Sequence, residues 1–150
     1  MLIKLSISIL VLMIITVFAI FILPGKTIAP TSNNQGKIYI NGTPLTIEVA
    51  DEPNEHNLGL SGRLQLAPSN GMLFVFEQPE ITAFWMKDMN FSLDMIWIDE
   101  NLKIVGITKN ISPDTFPQTF SPPSPIRYVL EVDGGWADKN KIKIGDTIKF

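Results

Sequence analysis

The sequence predicts a mainly β domain with two short helices, a small closed or partly open β-barrel or sandwich, preceded by one transmembrane helix. Three observations carry that expectation. From residue 37 onward, short apolar runs rich in β-branched and aromatic residues recur between turn signals. Stretches with a helical period are few and short. An uncharged apolar run from Leu5 to Leu23 stands apart from all of them.

That run, as a helix rising ~1.5 Å per residue, is ~28 Å long, close to the ~30 Å hydrocarbon thickness of a bilayer. It exceeds the ~7–15 residues of a signal-peptide core, and the nearest small-residue site, Thr27-Ile28-Ala29, is followed by Pro30. An uncleaved anchor at 5–23 is therefore expected, with residues 1–4 as a cytoplasmic tip and the rest outside the cytoplasm. Lys4 on one side and Lys26 on the other leave only a slight positive-inside bias. Residues 24–36, rich in Pro, Gly, Ser, Thr and Asn, form a linker, and 37–150 has the size of one domain.

The domain opens on a hairpin. Lys37–Ile40 and Leu45–Val49 flank Asn41-Gly42, a pair that tolerates positive φ at both turn positions. Asp51-Glu52-Pro53 combines a cap, an acidic first turn and an early proline, and starts a short helix ending near Gly59. Gly71–Phe76 and Met95–Ile98 are apolar at consecutive positions, the pattern of strands covered on both faces. Thr82–Lys87 reads as a strand that places Trp85 and Lys87 on one face. Asp99-Glu100-Asn101 turns into Leu102–Ile107, and Arg127–Val132 alternates Arg127, Val129 and Glu131 against Tyr128, Leu130 and Val132. Between them, Ile111–Pro125 holds five prolines and no period, and reads as an extended surface loop. A helical turn near Trp136–Asn140 and a last strand, Thr147–Phe150 after Gly145-Asp146, complete the chain.

Composition excludes several classes of function. From residue 37 onward ten bases face fifteen acids, a formal net charge of −5, which is the wrong sign for a nucleic-acid surface. With no cysteine there is no disulfide, thiolate chemistry or Cys-ligated zinc. His56 is the only histidine, so no second His stands at ligand spacing, and it reads as a solvated residue of the short helix. No Gly-rich phosphate loop, dinucleotide fingerprint or nucleophile elbow occurs, and no cofactor or metal is expected.

Six blocks taken together, Gly59-Leu60 with Arg63, Gly71–Phe76, Phe84-Trp85-Met86-Lys87, Leu93-Asp94, Arg127–Glu131 and Gly145-Asp146, resemble the domain of unknown function 192 family. The resemblance spans Leu45 to Phe150. It implies a small, mostly β prokaryotic domain, often carried behind a signal or anchor, and no particular activity. The chain departs from the family pattern at Ser61-Gly62, at Asp88-Met89 in place of Asn-Thr, and at Ser92 in place of Pro.

Both arginines, Arg63 and Arg127, fall inside these blocks, and arginine suits a bidentate grip on a carboxylate or phosphate. The structural alternative is an internal salt bridge to Asp94 or Glu131. Arg63, Trp85, Lys87 and Arg127 are accordingly the candidate ligand-binding residues, for a saccharide or small anion. Asp88, Asp94 and Glu131 are the candidate catalytic carboxylates. The preferred reading is a non-catalytic envelope domain that binds a polar or anionic ligand such as a cell-wall component. An envelope hydrolase or lyase using paired carboxylates, and a protein-interaction or assembly module, are the alternatives.

Overall fold

A computed structural model describes residues 35–150. The anchor expected at 5–23 lies outside the described residues; no helix within them is long and apolar enough to cross a membrane.

The Asn41-Gly42 turn sits at φ 50° and 80° and closes the first hairpin, β1 (Gln35–Ile40) against β2 (Thr43–Ala50), with Ile40 opposite Thr43. Helix α1 (Pro53–Leu58) follows, capped by Glu52 and Glu55 in a reciprocal capping box and ended at Gly59. It is the crossover that a parallel pairing needs, because β3 (Asn70–Glu80) returns beside β2 in parallel register, Ala50 opposite Phe74. The remaining strands are β4 (Phe84–Trp85), β5 (Leu93–Ile98), β6 (Ile104–Ile111), β7 (Thr119–Phe120), β8 (Ile126–Asp133) and β9 (Ile148–Lys149). Helix α2 (Trp136–Lys139) precedes the last of them.

Among the described residues, seven strands form one curled half-barrel sheet in the order β6-β5-β8-β3-β2-β1-β9. Its two edge strands approach at one end, where Lys103 and Thr147 form an antiparallel bridge and the Ile148 N–H donates to the Leu102 carbonyl at 2.9 Å. The described residues are mainly β with two short α-helices, as expected from the short apolar runs.

The pleat divides the central strands between two cores. Leu73, Ile96, Ile98, Leu130 and Val132 face one cluster with Ile38, Ile40, Leu45 and Ile148. Met72, Phe74, Met95, Trp97 and Val129 face the other, with Leu60, Met86 and Ile126. Every residue of β5 is buried, which is why its sequence shows no alternation.

Two segments differ from the sequence expectation. The run Thr82–Lys87 is a strand only at Phe84–Trp85, and it pairs outside the main sheet, with β7. Lys87 therefore shares no strand face with Trp85. The proline-rich stretch 111–125 is not featureless, for it contains a 3-10 turn at Pro113–Thr115 and β7 itself. Its partner lies in a distant part of the chain, so no local period announces it. This stretch packs close to the sheet at Gly106, where an added Cβ would stand 2.9 Å from both Pro123 and Trp97.

Asp94 holds the start of β5 in place. It is 0% exposed, and its carboxylate accepts from the backbone N–H groups of Asn110 at 2.7 Å, Gly135 at 3.0 Å and Ala137 at 2.8 Å. Asp94→Ala would leave three donors without an acceptor. The expected cost is about 3 kcal/mol or more, read as a lower urea midpoint, and an unchanged midpoint would contradict this role.

Candidate functional site

Position 131 is where the strand pattern and the side chain disagree. Glu131 lies opposite Met72 on one neighbouring strand and Met95 on the other, in phase with Val129 on the face that packs the second core. A carboxyl there is surrounded by apolar groups. Glu131 is 4% exposed. Among the described residues nothing donates a hydrogen bond to it and no cation pairs with it, so burial alone pushes its carboxyl up to about 8.

The space above Glu131 is a cavity of about 420 Å³. α1 and the turn after it border it with His56, Asn57 and Ser61, β3 with Phe74, Phe76 and Glu80, and β4 with Phe84 and Trp85. The rings form a continuous set: His56 lies 4.9 Å from Phe76, Phe74 meets Phe84 edge-on at 5.0 Å, and Phe84 meets Trp97 edge-on at 5.7 Å. His56 is not a solvated helix residue, since its Nε2 donates to the Ala50 carbonyl at 2.9 Å and its ring packs on the phenylalanines. Trp85 is 45% exposed and stands at the border with solvent.

The other residues singled out by sequence lie outside this lining. Arg63 makes a two-pronged ion pair with Glu48, at 2.6 Å and 2.8 Å, rather than with Asp94 or Glu131. That hydrogen-bonded guanidinium holds the Glu48 carboxyl below the ordinary carboxylate range. The Lys87 side chain is exposed, while its carbonyl accepts from the Ser61 hydroxyl at 3.0 Å and the neighbouring Asp88 carbonyl accepts from the Gly62 N–H at 2.8 Å. Arg127 keeps a buried Nε that finds no acceptor among the described residues. Asp88 and Asp94 do not converge: Asp94 is committed to backbone donors and Asp88 is exposed. Of the candidates, Trp85 and Glu131 alone are brought to the cavity. Among the described residues no cluster of three His, Cys, Asp or Glu forms a metal site.

The family model for DUF192, described as Uncharacterized ACR, matches residues 36–150. The chain belongs to the DUF192 family. No curated protein matches it. Crystal structures similar to this DUF192 chain include the following two. One is a candidate transcription regulator from Sinorhizobium meliloti, 28% identical, with a TM-score of 0.76 over 81% of this chain and 97% of that one. The other, a protein of unknown function from Novosphingobium aromaticivorans, is also 28% identical, with a TM-score of 0.74 over 81% of this chain and 90% of that one.

The burial of Glu131 has a measurable consequence for this DUF192 domain. Between the ordinary carboxyl value of 4.5 and about 8, the folded domain holds a proton that the unfolded chain has released. Stability from this group is complete below that window, falls as pH rises through it, and is gone above. Glu131→Gln is expected to remove this slope and to leave the variant more stable than the parent at pH 8, by on the order of a few kcal/mol. Denaturant titrations of both proteins from pH 5 to pH 8 check it; parallel pH profiles would contradict it.

Proposed function

We propose that this is an envelope ligand-binding domain, anchored through residues 5–23 and facing outward, that holds a small polar molecule such as a saccharide or cell-wall component without transforming it. The carrying observation is the cavity itself, walled by flat aromatic surfaces with a few polar groups at fixed places, the general make-up of a small-molecule site. Trp85 offers a ring face at the border with solvent, and Asn57, Ser61, Thr82 and Glu131 offer hydrogen-bonding groups. Among the described residues neither Lys nor Arg lines the cavity, which favours a neutral or cationic ligand over an anionic one.

One observation favours a second reading, an envelope hydrolase or lyase. A carboxyl that keeps its proton near neutrality is suited to general acid catalysis, and Glu131 with Glu80 in the same cavity supplies two carboxyl groups.

A thermal-shift screen against envelope saccharides and muropeptides tests both. A ligand at a hundred times its Kd is expected to stabilise the protein by ~2.7 kcal/mol, and Trp85→Ala to abolish the shift while the protein still folds. Binding unaffected by Trp85→Ala would overturn the cavity as the site, and no hit at all would overturn the saccharide and cell-wall reading of its ligand. Conversion of a bound compound that stops in Glu131→Gln would establish the enzyme instead.

A further inference from the structure

We infer that the ligand of this cavity carries a positively charged amine, seated among the rings of Phe76, Phe84 and Trp85 and held by the carboxyl group of Glu131. The inference rests on the cavity being the binding site, and it names the chemistry of what binds there.

Three features of the lining carry it. First, Glu131 is a buried polar side chain with no partner among the described residues, on a strand face that is otherwise apolar, and it borders open space. A carboxyl in such a place is satisfied only from the cavity it borders, by water or by a donor or cation of a bound ligand, since no side chain or backbone N–H among the described residues donates to it. Second, the wall is aromatic. The negative face of an aromatic ring attracts an ammonium group, most strongly where water is excluded. Third, among the described residues every formal charge in the lining is acidic. Glu80 and Glu131 are its carboxylates, and its one basic residue, His56, has Nε2 engaged by the Ala50 carbonyl. A neutral sugar uses the rings but not the charge, and an anion finds no cation to pair with in the described lining. An ammonium group, alone or on an amino sugar, uses both.

Binding of a cation favours ionised Glu131, so it is accompanied by release of the proton that burial keeps on the carboxyl up to about 8. Affinity for an amine that stays protonated should rise about fifty-fold between pH 6 and pH 8, following the ionised fraction. The other titratable groups in the lining are His56 on α1 and Glu80 on β3; the strand partners of Glu131, Met72 and Met95, carry no charge.

Calorimetric titration of the full-length chain with choline and n-butylamine, each beside its neutral isostere (dimethylbutanol and butan-1-ol), tests the inference. Each cation is expected to bind at least about tenfold tighter than its isostere at pH 8. Glu131→Gln is expected to erase both that preference and the pH dependence, and Phe84→Leu, which removes a ring at little change in volume, to weaken choline binding. Equal binding of the isosteres, or a pH dependence that survives Glu131→Gln, would overturn the amine while leaving the cavity as a site. Saccharides that bind where no cation does would have the same meaning. Failure of cations and saccharides alike would overturn both the amine and the site.

Discussion

Strands β3, β8 and β5 run side by side with both faces covered, and the pleat decides what each residue meets. Leu130 and Val132 go to one core and Val129 to the other, so position 131 is committed to the face of the second core, beneath the cavity, whatever residue occupies it. This domain places a carboxyl there. The contrast with Asp94, the other buried acid, shows what is unusual about it. Asp94 sits where the backbone of Asn110, Gly135 and Ala137 supplies three N–H donors, and its charge is absorbed into the fold. Glu131 lies between two methionines with no such donors, so what satisfies its carboxyl has to come through the cavity.

The layer over that face keeps the space open. α1 is fixed at its start by the capping box and at its end by Gly59, while the Arg63–Glu48 pair ties the following turn back to β2. Ser61 and Gly62 bind the carbonyls of Lys87 and Asp88, which joins this turn to the segment after β4. β4 in turn is held by β7 from the proline-rich stretch, and that stretch reaches the sheet over Gly106 and Trp97. These are short fastenings around one cavity, made between segments well apart in sequence. They hold His56, Phe84 and Trp85 at its border without filling it.

Much of the sheet was legible in sequence because its signals are local. Asn41-Gly42 specifies a turn by its φ angles, Asp51-Glu52-Pro53 marks a helix start, and the unbroken apolar run of β5 reports burial on both faces. The cavity was only half legible, because its parts meet through pairings far apart in sequence. Nothing near Thr82–Lys87 indicates that only Phe84 and Trp85 find a partner, so Lys87 was read onto a face it does not share. Nothing near Arg63 points to Glu48 as its partner. His56 gave no signal either, since its neighbours Phe74 and Phe76 arrive on another strand. Glu131 did give one: a carboxyl in phase with Val129 on a central strand is an acid on a core face, and that alone marks it out.

Direct titration of the Glu131 carboxyl is the most incisive measurement. Carbon-detected NMR of the ligand-free protein, labelled at glutamate and assigned by comparison with Glu131→Gln, would follow the carboxyl signal through the pH range. A midpoint near 8 is expected for a carboxyl that burial alone perturbs. A midpoint near the ordinary value of 4.5 would mean that the protein already supplies the donor or charge Glu131 needs, and the cavity would then have no unmet demand for a cation.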